Sequence, residues 1–394
     1  MVIHLLFLKL FIISLFFITT KSFFTFYGVI LGAGVAYIIF SGKSINVRLV
    51  VFLMAFSSIF FIRTALFSNY EDIKELVKVL IFISLLAFKP DIDKYFFFFV
   101  AIVFSFLNFT LSLFQFLHFD FFSIVESLSS LYNADKHIEA SLSYTVPRAL
   151  GFSSGPSQQA VLSLVLFSYF ISVYSYSKTR TILIAFMIFF TFCTVVMTQS
   201  KTALIALPIS LCIFYISYMK LMSHKVRLLL FSIGVLAGGI ALFSLAYIVF
   251  FIPELNRVYE SGLNVSSFQD RLKNWYAILK PMLDINNGLS YLFGVGRSGL
   301  EYYGVNDIPY DSDYVYFLVN FGLIGFFSLC LFIVFNLVKP YFSPLGNGKL
   351  MFFSLISSLS IIVSFSLNFY IEPRVYILLG IFLFVRNDFF SLNR

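Results

Sequence analysis

Charge is what this sequence has least of. Asp, Glu, Lys and Arg make up 12% of its residues, against about 25% in a soluble globular chain. With 60% hydrophobic residues and a mean hydropathy of +0.95, that scarcity excludes a soluble domain. Cysteine is nearly absent. Cys193, Cys212 and Cys330 all fall inside apolar runs and form no CxxC pair, which excludes an extracytoplasmic disulfide framework and a paired-cysteine metal site. The histidines, His4, His118, His137 and His224, lack metal-ligand spacing and give no local support to a Ser-His-Asp triad. No low-complexity linker and no internal repeat divides the chain, so residues 1–394 read as one domain.

What is present instead is a series of apolar runs. Runs of about 17–25 residues can cross a hydrocarbon core of about 30 Å. Lipid offers no hydrogen bonds to the backbone, so only a helix bundle or a closed barrel can span it. These runs are too long and too continuous for barrel strands. The expected fold class is therefore all-α, a polytopic membrane bundle. The 56 phenylalanines read as economical lipid-facing residues rather than an aromatic conduit. The net charge of +8 reads as basic cytoplasmic loops, not as a nucleic-acid footprint.

Twelve spans are expected, at 2–19, 23–40, 49–66, 73–88, 95–117, 158–176, 182–197, 202–218, 228–251, 314–337, 350–367 and 375–390. The first lacks a basic flank and a clear cleavage site, so it reads as a retained helix. An even number of spans puts both termini on one side. One set of short connections holds Lys43, Arg48, Lys89, Lys94, Lys178, Arg180, Lys220, Lys225, Arg227, Lys339 and Lys349, with Arg386 and Arg394 at the C-terminus. The opposite set holds only Lys21, Arg63, Lys74, Lys201 and Arg374. The richer set is cytoplasmic by the positive-inside rule. Two long connections, about 118–157 and 252–313, then face outward. They carry Lys136, Arg148, Arg257, Arg271, Lys273, Lys280 and Arg297, and long loops are exempt from the charge rule.

Several outer stretches combine cations with turn residues. "SSFQDRLKNWYAILKPMLDINNG" reads as an amphipathic helix, capped by Ser266 or Ser267 and with Asp270 in its first turn. Its single Trp275 suits the headgroup layer as an interfacial anchor. Arg271 lies at i, i+4 from Trp275, where a cation–π contact could orient it. An anchoring helix without chemistry is the plainer reading. "LFGVGRSG" matches G-x-G-x-x-G through Gly294, Gly296 and Gly299. No βαβ unit surrounds it, so it is no dinucleotide site. It is either a plain tight turn or a turn whose N–H groups, with Arg297, face an anion. Arg148, in "TVPRALGFSSGPSQQA", stabilises a re-entry into the membrane or binds phosphate. Arg374, in "FYIEPRVY", pairs with Glu372 or meets an anion at the outer mouth of the last span.

Taken in order, "RALGFSSGPSQQA", "TQSKTALIAL", "RLKNWYAIL…LFGVGRSG" and "DSDYVYFLVNFGLIGF" resemble the O-antigen polymerase (Wzy) and O-antigen ligase superfamily. The pieces cover about residues 147–326. The resemblance implies a glycosyltransferase acting on the outer face of the bacterial inner membrane. A polymerase moves a growing glycan from its undecaprenyl diphosphate carrier to a hydroxyl of another lipid-linked repeat. The product would be an O-antigen of lipopolysaccharide, a capsule or an exopolysaccharide. A ligase moves the glycan to lipid A core instead. The implied partners are lipid-linked donor and acceptor and membrane lipids, with room for a chain-length regulator and no nucleic acid. No metal or cofactor is implied.

The leaving group is a diphosphate, so cations and backbone N–H groups must stabilise developing negative charge. Arg148, Lys201, Arg271, Arg297 and Arg374 are the candidate diphosphate ligands. Lys201 stands where the family pattern has arginine, keeping charge but losing the bidentate fork. Asp311, counted back from Gly322, stands where ligases carry a histidine thought to act on the acceptor hydroxyl. Asp313 is the competing acid, and a polar cap of span ten is the plain alternative for both. The histidine's replacement favours polymerase over ligase. A carrier or flippase without bond chemistry is a third reading, but it would place ionisable residues within the spans. The topology has a direct check. Cysteines placed at Ser141 and Ser261 should react with an impermeant thiol reagent in intact spheroplasts, and labelling only after lysis would reverse the orientation.

Overall fold

A computed structural model describes residues 2–19, 28–29, 32, 47–67, 72–73, 75–77, 92–119, 122–135, 137–138, 147–177, 181–251, 266–284, 288–305, 308, 310–343, 347–367, 369–370 and 372–392. The expected span at 23–40 and most of that at 73–88 lie outside these residues. So do Lys21, Lys43, Lys74, Lys89, Lys136, Lys178, Arg180, Arg257, Arg394, Ser141 and Ser261. Among the described residues the protein is all-helical, with no strand.

The helices are α1 (Val2–Phe17), α2 (Val47–Phe67), α3 (Lys94–Phe116), α4 (Ser123–Tyr132), α5 (Pro156–Tyr176), α6 (Thr181–Met197) and α7 (Lys201–Tyr218). They continue as α8 (His224–Phe251), α9 (Ser266–Asp284), α10 (Gly288–Phe293), α11 (Gly296–Tyr302), α12 (Asp313–Phe342), α13 (Gly348–Val363) and α14 (Pro373–Phe384). The spans expected from 2–19, 49–66, 95–117 and 158–251 are present within a few residues. Lys94–Phe116, Pro156–Tyr176, Lys201–Leu221 and Asp313–Phe342 are each long and apolar enough to cross a membrane.

Helix α5 is the axis of the bundle. It begins with Pro156 at its first position, where the missing N–H costs nothing. Every residue from Gln159 to Val173 is buried, as a helix that is apolar all round requires. It packs against α6, α13 and α14, and α7 packs against α8 and α13. Small residues let these helices approach. Ser168 and Ser172 return their hydroxyls to the carbonyls one turn back, each at 2.8 Å. Phenylalanine serves both environments. Phe97, Phe98, Phe104, Phe167 and Phe170 are in the core, while Phe99, Phe327 and Phe335 face outward.

The last spans depart from expectation. The helix at the eleventh span ends at Val363, not at 367. The last helix has 12 residues, about 18 Å at about 1.5 Å each, too short to cross about 30 Å. A 3₁₀ turn over Asn387–Phe390 follows it. Its Phe389 and Phe390 are buried against Phe97, Tyr169, Phe352 and Phe382. Lys349 Nζ donates to the carbonyls of Leu383 at 2.6 Å and Val385 at 3.1 Å, where a helix end favours a cation.

The tenth span is broken. Gly322 inside α12 has φ 63° and ψ −159°, which is not helical. The reason is a backbone crossing. Gly294 has φ +76°, and a Cβ there would collide with the Val319 carbonyl. A Cβ on Gly322 would collide with the Leu292 carbonyl. The two glycines let the α10–α11 turn press directly onto the break. Ala at either position adds a left-handed penalty of about 1–2 kcal/mol to an overpacking cost of about 1–3 kcal/mol. Gly294→Ala and Gly322→Ala should each lower the melting temperature in detergent by several degrees, whereas Gly238→Ala, in open space, should not.

Candidate functional site

Arg148 and Lys201 meet at one turn. Ala149 N donates to the Met197 carbonyl at 2.9 Å, and Arg148 Nε donates to the Thr198 carbonyl at 3.2 Å. The chain then turns through Gln199, with φ +48°, into Ser200 and Lys201. Lys201 is exposed at the first position of α7. A cation at a helix N-terminus opposes the helix dipole, at a cost of about 0.3–1 kcal/mol. The position is poor for stability and good for meeting an anion.

The segment carrying Arg148 is held by amides that sequence reading did not select. Gln115 Oε1, on α3, accepts from Leu150 N at 2.9 Å and Gly151 N at 2.8 Å. Asn133 Nδ2 donates to the carbonyls of Gly151 at 2.9 Å and Ser153 at 2.6 Å. Asn108 Oδ1 accepts from Phe152 N at 3.0 Å and Gln159 Nε2 at 2.9 Å. Gly151 has φ +50°, and a Cβ there would strike Gln159. This is an irregular segment buried in a bundle, and side-chain amides supply the partners that lipid cannot.

Asp313 is buried against a second irregular stretch, made of the described residues 364–367, 369–370 and 372. Its Oδ2 accepts from Ser364 Oγ at 2.7 Å, Phe369 N at 2.8 Å and Tyr370 N at 3.0 Å. Its own N–H donates to the Ser364 carbonyl at 3.0 Å. Those bonds commit Asp313 to holding backbone. Asp311, two residues earlier, is half-buried and left-handed at φ +48°, a conformation that Asp tolerates better than most residues. The 364–367 turn also carries Ser366, whose hydroxyl bonds to Thr202, next to Lys201. The Arg148–Lys201 turn and the Asp311–Asp313 turn therefore share one support.

Helix α9 lies on this end of the bundle. Ile278 and Met282 are buried, while Leu272, Tyr276 and Leu283 face outward. Trp275 does not pair with Arg271. Its ring is 6.1 Å from that of Phe365, and its Nε1 donates to the Tyr310 carbonyl at 3.0 Å. The expected Arg271–Trp275 contact fails because the indole turns inward to meet a carbonyl. Asp270 lies past the first turn, which the helix begins at Ser266. Arg271 is half-buried.

The glycine turn does face an anion, but that anion is the protein's own Asp72. A Cβ on Gly296 would lie 2.6 and 2.7 Å from the Asp72 carboxylate oxygens. Asp72 Oδ1 accepts from Arg297 N at 2.8 Å and Ser298 N at 3.3 Å. The Arg297 guanidinium lies 5.6 Å from the centre of the Tyr310 ring. Burial, with Glu75 nearby, pushes the Tyr310 phenol up to about 12 against the pull of Arg297, so it is protonated at neutral pH.

Arg374 takes a different part. It is 1% exposed. Its Nη2 donates to the Ile18 carbonyl at 2.8 Å, and its guanidinium lies 5.9 Å from the Phe104 and Tyr132 ring centres. Its contacts are with Ile18, just after α1, and with α3 and α4. Glu372 caps α14 by accepting from Val375 N at 2.8 Å. Among the described residues no direct salt bridge joins Glu372 to Arg374. Arg374 is thus enclosed, which an open anion ligand at the outer mouth would not be.

Compared with family models, residues 186–330 match the one described as O-antigen ligase. That segment is similar to the O-antigen ligase family. The match covers three of the four motif stretches that suggest the superfamily, and "RALGFSSGPSQQA" lies before it. No curated protein matches the chain. The family segment supports a role in glycan assembly, as polymerase or ligase, for this membrane protein.

The family segment contains Lys201, Arg271, Arg297, Asp311 and Asp313. Arg148, Asn108, Gln115, Arg63 and Asp72 lie outside it but converge on it. A polar signal for two of them exists in the sequence, since Asn108 and Gln115 sit inside an apolar run where polar residues are rare. The two acids are separable by experiment. Asp313→Ala strips three buried donors of their acceptor, at about 1–3 kcal/mol each, and should yield little folded protein. Asp313→Asn should melt lower, and Asp311→Asn should melt with the parent.

Proposed function

We propose that this protein is the polymerase of a lipid-linked glycan. It would join undecaprenyl-diphosphate-linked repeats of an O-antigen, capsule or exopolysaccharide on the outer face of the bacterial inner membrane, with both termini cytoplasmic. The observation that carries the reading is the shared support of two turns. The Arg148–Lys201 turn offers cations, and the Asp311 turn, which is held by the same 364–367 turn through Asp313, offers a half-buried carboxylate.

The chemistry follows from that pairing. The acceptor hydroxyl attacks the anomeric carbon of the donor, its proton passes to the Asp311 carboxylate, and the bond to the diphosphate oxygen breaks. Negative charge grows on the departing diphosphate. Arg148 and Lys201 stabilise it, joined by Arg271 and Arg297 from the second loop. Asp311 accepts the proton because Asp313 is committed to backbone donors. A carboxylate in place of the ligase histidine favours polymerase. The carrier reading is disfavoured because the candidate cations gather at turns at one end of the bundle, not along a path through it.

Loss of the gene should leave single unpolymerised repeats on the cell surface, whereas long glycan held on the lipid carrier would indicate a ligase. With purified protein and a lipid-linked repeat, Arg148→Ala and Lys201→Ala should each cost about 10²–10³ in rate. Lys201→Arg should retain most activity. Asp311→Asn should lose polymer while still binding the lipid-linked repeat. Normal chain lengths on a gel for all of these variants would overturn the site.

A further inference from the structure

Arg63 is an oddity of this bundle. It is a buried cation, 5% exposed, at the end of an apolar helix. The broken helix explains it. Gly322 interrupts the α12 ladder, so carbonyls of the piece 313–321 lose their partners one turn on. Arg63 Nη1 donates to one of them, Asn320 O, at 2.6 Å. It also reaches the Phe293 carbonyl at 3.3 Å. These two carbonyls flank the Gly294–Gly322 crossing. A cation at the C-terminal end of a helix piece is also favoured by its dipole.

Asp72 completes the device. Its Oδ2 lies 3.1 Å from Arg63 Nε, so the buried charge is paired. Its Oδ1 takes the N–H groups of Arg297 and Ser298. Its own N–H donates to Ser298 Oγ at 3.2 Å. One ion pair thus ties together α2, the glycine turn and the break in α12. Arg297 stands directly on that turn. Asp311 lies just before the broken helix, and the preceding residue's carbonyl is held by Trp275.

We propose that Arg63 and Asp72 are positioning residues: a buried latch that fixes the glycine turn against the helix break, and so sets Arg297 and the Asp311 turn for reaction. The latch rests on the polymerase reading only for its catalytic consequence. Its structural half can be read without activity, because the chain has a single tryptophan and that residue bonds to the turn beside Asp311.

The experiment uses the full-length protein in detergent, comparing the parent with Asp72→Asn, Arg63→Lys and Arg297→Ala, and with Asp72→Asn combined with Arg297→Ala. Asp72→Asn keeps an acceptor for Arg297 N but removes the charge. Arg63→Lys keeps the charge but cannot bridge two carbonyls and a carboxylate. Both should remain monodisperse, with Trp275 emission shifted to the red and more accessible to acrylamide. Turnover of a lipid-linked repeat should fall by about 10- to 100-fold. The double variant should be little worse than Arg297→Ala, since residues acting through one another are non-additive. Unchanged Trp275 emission in both single variants would overturn the latch whatever the turnover, as would additive losses in the double variant. Shifted emission with normal turnover would keep the latch in place and overturn the assignment of Arg297 and Asp311 to the reaction.

Discussion

A backbone that leaves the helix inside a bilayer must find its hydrogen bonds within the protein. That constraint shapes this end of the molecule. Among the described residues the chain leaves the helix at 147–155, at Gly322 and at 364–367 and 369–370. Each departure is met by polar side chains that would otherwise be out of place: Asn108, Gln115 and Asn133 at the first, Arg63 at the second, Asp313 at the third. The helix interruptions hold the irregular stretches that carry Arg148 and Arg297 and, through Asp313, the turn of Asp311.

The same constraint sorts the acids and cations by role. Asp313, Asp72, Arg63 and Arg374 are buried and committed to the backbone or to each other. Lys201 is exposed, while Arg148, Arg271, Arg297 and Asp311 are half-buried. A charge that must meet a substrate has to keep some solvation before the substrate arrives, whereas a charge that holds a fold is better sealed. Burial therefore separates residues that the sequence presents as equals.

Much was legible in order along the chain. The hydrophobic runs marked most helices, and the four motif stretches pointed to the family that residues 186–330 match. The Gly-x-Gly stretch is legible as a tight turn, with a plain turn and an anion-facing turn both open on the sequence alone. What failed did so for long-range reasons. Asp72 is 225 residues from Arg297, so nothing local showed that the anion was internal. The Arg271–Trp275 spacing was right for a contact, but Tyr310 offered the indole a carbonyl. The last helix ends before its apolar run does, because Phe389 and Phe390, as apolar as a helix would require, fold back into the core.

By itself the sequence determined the solvent, the helical class and the family resemblance. Apolar runs too long for barrel strands leave the helix as the way to satisfy a backbone in lipid, and the ordered motif stretches carry the family resemblance. Which cations share a turn, which aspartate is committed and which helix breaks were decided only in the tertiary structure. These depend on where an unsatisfied carbonyl or N–H finds its partner. Here the partner lies tens to hundreds of residues away, as Arg63 does from Asn320, at a separation of 257.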